Sequence, residues 1–299
     1  MELSLEEKFN LEVDQVAVQT ALNKIKDIAK ARLGEVETLK KCFSSIDLTT
    51  LNTTDGYERG KLFADKVSKF QTDFPGMPNV AAICVYPSIV PAVKENLTVE
   101  NVKIASVSAG FPSSQTYIDI KLSECDMTLE QGADELDVVM SVGSFLEGDY
   151  FTVYSELQQI KEVADEAKVK VILETGALPS FEDIKLASFL AMEAGADFIK
   201  TSTGKLEPAA TPESVYVMCT AIKEYFDKTG RKVGMKPAGG VSNSYDALVF
   251  YTIVEQVLGQ EWLYPGLFRL GTSKLADILL SDILGKEVKY FSQTSGAKY

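Results

Sequence analysis

Apolar and polar positions alternate in two registers along this chain. Residues 1–40 carry apolar side chains at helical spacing (Val13, Val16, Ala21, Ile25, Ile28) with charges between them, and Gly34 is placed to stop a helix. From Cys42 onward the pattern becomes a repeat. A short β-rich apolar run is followed by a loop of small residues or proline, then ten to twenty residues of helical periodicity. The pattern predicts strands over 46–51, 80–86, 102–107, 135–140, 169–174, 197–201, 232–236 and 268–271. It predicts helices near 55–73, 88–97, 113–132, 149–167, 180–195, 212–229 and 243–259, and a last one from about Ser273.

Helix starts are written into Thr211-Pro212-Glu213 and Ser180-Phe181-Glu182-Asp183, where an N-cap hydroxyl precedes early acids. Glycines in Gly132–Asp134 and Gly195–Asp197 end a helix just before a strand. Strands alternating with helices imply a parallel sheet, and eight repeats suit a (β/α)8 (TIM) barrel better than an open doubly wound sheet. No G-x-G-x-x-G follows an early strand and no G-x-x-x-x-G-K-[ST] occurs, so nucleotide-binding readings lack their motif. The expected organisation is an N-terminal helical extension over 1–40 packed on the barrel, the barrel over 41–290, and a mobile tail over 291–299.

Composition narrows the function. A formal net charge of -13 argues against nucleic acid or an anionic membrane as partner. No apolar run approaches the ~18 residues of a membrane span. The acidic start M-E-L-S-L-E-E-K is not expected to be a secretory signal. The four cysteines (Cys42, Cys84, Cys125, Cys219) form no C-x-x-C pair and read as reduced thiols, hence a cytoplasmic location. With no histidine among 299 residues, Ser-His-Asp and Cys-His catalysis and histidine-ligated zinc are excluded. Acid–base chemistry must then come from Lys, Asp, Glu, Tyr or water.

The segment D-F-I-K-T-S-T-G-K at 197–205 ends a strand on an inward lysine, Lys200, followed by small hydroxyls and a glycine. A lone lysine at a strand end usually snorkels to water. Here Lys236 ends the neighbouring strand in V-G-M-K-P-A-G-G, and Asp137 lies inward on strand four, on the face of Glu135 and Val139. In a barrel, all three meet at the C-terminal mouth, where barrel chemistry sits. Two cations beside one carboxylate leave one positive charge, relaxed by deprotonating a lysine. Bringing a lysine from ~10.4 to ~7 takes about 4.6 kcal/mol, within reach of burial plus a neighbouring cation. A neutral lysine attacks carbonyls, and Asp137 can handle protons through a water. The pattern leaves the nucleophile open between Lys200 and Lys236, and a purely structural Lys–Asp–Lys network is the bland alternative. Thr203-Gly204-Lys205, Gly239-Gly240 and Gly271-Thr272-Ser273-Lys274 follow strands six, seven and eight. Barrels bind phosphate at such loops.

These residues resemble the deoxyribose-phosphate aldolase family. The matching segments are I-D-L-T-T-L at 46–51, A-A-I-C-V-Y-P at 81–87, G-A-D-E-L-D-V-V at 132–139, K-V-I-L-E-T-G at 170–176, G-A-D-F-I-K-T-S-T-G-K at 195–205, A-T-P-E-S at 210–214, G-M-K-P-A-G-G-V at 234–241 and R-L-G-T-S at 269–273. The resemblance implies reversible cleavage of 2-deoxyribose 5-phosphate to acetaldehyde and glyceraldehyde 3-phosphate. It makes Lys200 the Schiff-base lysine, Lys236 the neighbour that depresses its pKa and shares proton relay, and Asp137 the proton donor and acceptor. It places the phosphate on Thr203, Gly204, Lys205, Gly239, Gly240, Gly271 and Ser273, with Lys274 an added candidate where the family commonly has serine. It makes Tyr299, in the S-G-A-K-Y ending, a candidate for tail-assisted proton transfer. Cys84 falls near the pocket and reads as packing. Neither metal nor organic cofactor is implied; the partners are sugar phosphates and aldehydes, and a homodimer is the family expectation. The rivals are another Schiff-base sugar-phosphate aldolase, a pyridoxal-phosphate lysine enzyme on this fold, and a non-catalytic sugar-phosphate-binding barrel.

Overall fold

The computed structural model describes residues 5–292. Eight parallel strands run β1 (Ile46–Thr49), β2 (Ala82–Val85), β3 (Lys103–Ser108), β4 (Glu135–Val139), β5 (Lys168–Ile172), β6 (Phe198–Lys200), β7 (Gly234–Lys236) and β8 (Leu270–Thr272). Each pairs with its sequence neighbours, and β1 also pairs with β8. The ring closes between β7 and β8 through single bridges at Met235–Phe268 and Ala238–Gly271. The fold is a TIM barrel, as the repeat predicts.

The strands are three to six residues long, and each predicted strand is trimmed at one or both ends or moved by a residue or two. The trimmed residues open the loops at the barrel mouth. Thr201, for example, leaves the ladder but its N–H still donates to the Lys236 carbonyl at 3.2 Å. The helix predicted over 113–132 starts at Ile118, because the segment before it carries left-handed Ala109, Gly110 and Ser114.

Before the barrel, helices Gln15–Ala31 and Val36–Ser44 lie against the helices Pro212–Thr229, Ser244–Leu258 and Leu275–Leu284. Asp14 caps the first with its carboxylate on the N–H groups of Val16 and Ala17. Val18, Leu22, Ile25 and Ala29 face inward at helical spacing. At the other end, Phe291, where a mobile tail is expected to begin, is buried and stacks on Phe70. Asp277 accepts the N–H groups of Tyr290, Phe291 and Ser292, so the ordered body extends through the start of that tail. Among the described residues no helix is long and apolar enough to cross a membrane.

Candidate active site

Strand alternation sorts the barrel into two shells. Leu48, Val138, Val171, Ile199, Met235 and Leu270 face outward into the core beneath the helices. The alternate positions face the axis. On the β2–β3 side these are small and apolar: Ala82, Cys84, Ala105 and Val107. On the other side they are charged. Asp47 of β1, Glu135 and Asp137 of β4, Lys170 of β5, Lys200 of β6, Lys236 of β7 and Arg269 beside β8 are all buried.

These seven groups form one network. Lys200 and Lys236 each donate to Asp137 Oδ2 at 2.6 Å. Lys236 also donates to Asp47. Lys170 Nζ reaches Asp137 Oδ1 at 2.9 Å, Glu135 Oε2 at 2.7 Å and Asp47 Oδ2 at 3.5 Å. The Arg269 guanidinium bridges Asp47 Oδ1 at 2.6 Å and Glu135 Oε1 at 2.7 Å. Four cations face three carboxylates, so full ionisation would leave one buried positive charge. Removing one proton relieves it.

The geometry selects which lysine gives it up. Lys170 touches three carboxylates and Lys236 two, whereas Lys200 touches only Asp137. Burial lowers the Lys200 ammonium below the ordinary lysine range; Asp137 opposes this and Lys236 adds to it. Burial also disfavours charged Lys236 and Lys170, but their carboxylates outweigh it and hold both above that range. Asp137 resists burial in the same way: Lys170, Lys200 and Lys236 keep its carboxyl well below the usual carboxylate range. The lysine with the lowered pKa and the ionised carboxylate are therefore hydrogen-bonded neighbours.

Above Lys200 a cavity of about 260 Å³ opens at the C-terminal ends of the strands. It is lined by Lys200, the loops 49–52 and 203–205, and Gly239, Gly271 and Ser273. Two of the glycines are required. Gly239 has φ 73°, and a Cβ there would sit 2.7 Å from the Ala209 Cβ. A Cβ on Gly271 would lie 2.9 Å from the Ala238 Cβ and 3.2 Å from Lys236 Cε. Lys205 spans the mouth, its ammonium donating to the Leu51 carbonyl at 2.6 Å. Thr203, Gly204, Lys205, Gly239, Gly271 and Ser273 are thus brought together around the cavity. Gly240 follows in the same turn with φ 69° but does not line it. Lys274 faces a separate cleft with Asp277 and Ser281. Tyr299 lies outside the described residues. Cys84 is buried on the apolar side of the axis, where burial, with Asp137 adding, pushes its thiol up.

Sequence reasoning gave no role to Asp47, Lys170 or Arg269. The signal was present: I-D-L-T, V-K-V-I and F-R-L-G each put one charge among apolar neighbours at a position that alternates with the outward face.

A family model described as "DeoC/LacD family aldolase" matches residues 45–259. The chain belongs to this aldolase family. The match leaves out the three helices described before β1 and the strand and helix at the end. This aldolase is 41% identical to the mouse deoxyribose-phosphate aldolase over 256 residues, 82% of its own length and 79% of the mouse chain. It is equally similar to the human one over 255 residues, with the same coverage of both chains. Among solved structures, the tetrameric deoxyribose phosphate aldolase of Aeropyrum pernix superposes with a TM-score of 0.65 at 27% identity, covering 86% of this aldolase and 96% of that chain. It is a lyase built as its relatives are.

Proposed function

We propose that this aldolase reversibly cleaves 2-deoxy-D-ribose 5-phosphate to acetaldehyde and D-glyceraldehyde 3-phosphate through a Schiff base on Lys200. The observation that carries the reading is the state of Lys200. It is the interior cation with one carboxylate partner, its pKa is lowered, and it lines the glycine-walled cavity. The mouse and human relatives are deoxyribose-phosphate aldolases, which suggests the substrate class.

In this reading neutral Lys200 attacks the substrate aldehyde carbon, and the carbinolamine loses water as Lys236 and Asp137 pass protons to the departing oxygen. The resulting iminium withdraws electrons from the chain. Asp137, through a water, takes the proton of the C3 hydroxyl. The C2–C3 bond breaks, its electron pair forming the enamine while C3 becomes the carbonyl of glyceraldehyde 3-phosphate. The enamine is protonated at C2, water adds to the iminium, and acetaldehyde leaves with Lys200 again neutral. The phosphate in this reading sits among the cavity loops at 203–205, 239 and 271–273, where glycines allow close backbone approach and Lys205 supplies positive charge. The described cysteines are all free thiols, which fits a reducing compartment, and we place the reaction in the cytosol. A homodimer belongs to the same reading; light scattering on the eluting protein decides it.

The test is borohydride reduction in the presence of acetaldehyde, followed by peptide mass analysis. One ethyl group is expected on Lys200 and none in Lys200→Leu. An adduct on Lys236 would exchange the two lysines' roles. A folded protein with no adduct would remove the Schiff base altogether.

A further inference from the structure

Glu174 is a buried carboxylate outside the ionic network of the axis. It follows β5 by two residues, is 7% exposed, and holds a left-handed backbone with φ 55° and ψ 58°. Glutamate rarely adopts this conformation, and such residues persist only where surroundings over-determine them. The Glu174 carbonyl accepts the Ala177 N–H at 2.8 Å, and its side chain is held by one residue. The Thr203 N–H donates to Glu174 Oε1 at 3.0 Å, and the Thr203 hydroxyl donates to Oε2 at 2.5 Å. The same Thr203 oxygen accepts the N–H of Lys205 at 3.0 Å. A chain of three hydrogen bonds thus runs from Glu174 into the loop that carries Gly204 and Lys205.

The ladder between β5 and β6 ends just before this point. Its last rung outside the strands is the Thr175 N–H donating to the Thr201 carbonyl at 2.9 Å. Beyond it, Glu174 replaces the missing ladder partner for Thr203. The two loops also touch at Gly176, where a Cβ would lie 2.2 Å from the Pro208 carbonyl oxygen. Glu174 itself does not line the cavity, whereas Thr203, Gly204 and Lys205 do. A carboxylate is the one side chain that accepts both Thr203 donors with no proton of its own in the way.

We propose that Glu174 is a positioning residue that clamps the 203–205 loop from behind and so sets affinity for the phosphate group of the substrate. The inference rests on the phosphorylated-substrate reading above. Loss of the carboxylate loosens the loop while leaving Lys200, Lys236 and Asp137 in place. The effect falls on phosphate binding and spares the carbon chemistry.

The experiment compares wild type with Glu174→Ala, Glu174→Gly and Glu174→Gln on 2-deoxyribose 5-phosphate and on unphosphorylated 2-deoxyribose, with inorganic phosphate binding followed by calorimetry. Glycine accepts the left-handed backbone, so Glu174→Gly keeps the fold where alanine strains it. For both truncations KM for the phosphorylated sugar is expected to rise at least tenfold with kcat within about threefold. Turnover of plain deoxyribose should change less than threefold, phosphate affinity should drop in parallel, and glutamine should recover part of the loss. Equal losses on both sugars, or unchanged phosphate affinity in a folded Glu174→Gly protein, overturn the clamp. Wild type that binds phosphate and loses it on truncation, yet turns over neither sugar, sinks the aldol reaction on this sugar and leaves the clamp standing.

Discussion

Lys200 and Lys236 meet at a single atom: each ammonium nitrogen lies 2.6 Å from Asp137 Oδ2. The two differ in what else they touch, since Lys236 also holds Asp47 and Lys200 holds nothing more among the described ion pairs. With that asymmetry, the Lys200 pKa is lowered and that of Lys236 raised. Its consequences can be measured.

Replacing Lys236 by leucine leaves three interior cations against three carboxylates. Nothing then favours deprotonating Lys200 except burial, and its pKa rises toward the ordinary value of ~10.4. Activity at pH 7 should fall at least 100-fold, and the ascending limb of the kcat/KM profile should move to higher pH. Profiles recorded from pH 6 to 10 test this. A uniform loss with an unmoved limb would mean that Lys236 acts in proton relay alone.

Lys200→Leu should be inactive and at least as stable as wild type at neutral pH. The folded protein holds Lys200 below its ordinary range, whereas the unfolded chain keeps that proton up to ~10.4. A pKa lowered on folding is a destabilising contribution at neutral pH, and it fades as pH rises from the folded toward the unfolded value. Leucine removes that contribution and leaves the remaining six groups charge-balanced. Thermal melts at pH 7 and 9.5 check it: the variant's Tm advantage should shrink at the higher pH. A loss exceeding about 3 kcal/mol at pH 7, the scale of a broken buried pair, would contradict the balance argument.

Asp47, Glu135 and Asp137 shift the other way. Burial resists their ionisation, but Lys170, Lys200, Lys236 and Arg269 hold all three below the usual carboxylate range. Their contribution is fully present above the unfolded values of ~4 and is lost as pH falls through the folded ones. Stability should fall steeply below about pH 4, and Tm measured from pH 3 to 7 follows it. An acid limb as shallow as that of a protein with no buried carboxylates would disprove the linkage.

How much of this was legible beforehand follows from what each residue type signals. Short β-rich apolar runs marked all eight strands, two of them behind a Gly-Ala-Asp turn, and the barrel followed from their number. Lys200 and Lys236 stood out because a charge ending a strand before a glycine-bearing loop is a poor choice for packing, and Asp137 as an inward charge on strand four. Lys170 and Arg269 did not stand out. Each sits mid-barrel beside apolar neighbours, and whether such a charge faces the axis or solvent depends on register with the adjacent strand. That register, Asp137 beside Lys170 and Lys200 beside Lys236, belongs to the closed ring. Glu174 was hidden for a different reason: its role lies in a left-handed turn that a sequence of ordinary residues does not announce.

The thiols offer a check on burial. Cys42, Cys84, Cys125 and Cys219 are all buried and free. Burial pushes Cys42 up to about 12 and Cys125 up to about 11, so little thiolate exists at neutral pH. Native protein should react with fewer than about 0.2 equivalents of a thiol reagent in the first minutes at pH 7.5, and with all four cysteines in denaturant. Prompt reaction at Cys84 would show that the apolar side of the axis opens to solvent.

Arg269 tests whether the whole network, rather than the nearest pair, sets the state of Lys200. Its planar fork joins Asp47 and Glu135, which a lysine cannot span in the same way. Arg269→Met takes one partner from each of two buried carboxylates, leaving Asp47 to Lys236 and Lys170 and Glu135 to Lys170, and should destabilise by about 3 kcal/mol. It also removes one positive charge from the cluster, so the surviving folded enzyme should show its ascending pH limb displaced upward, as Lys236→Leu does. Adding Glu135→Gln removes one negative charge and restores the original excess of one cation. The double variant should therefore recover part of the lost Tm and return the limb toward its wild-type position. If stability recovers but the limb stays displaced, the control of Lys200 is local to Asp137 and Lys236; if both return, the charge count of the whole barrel axis governs the nucleophile.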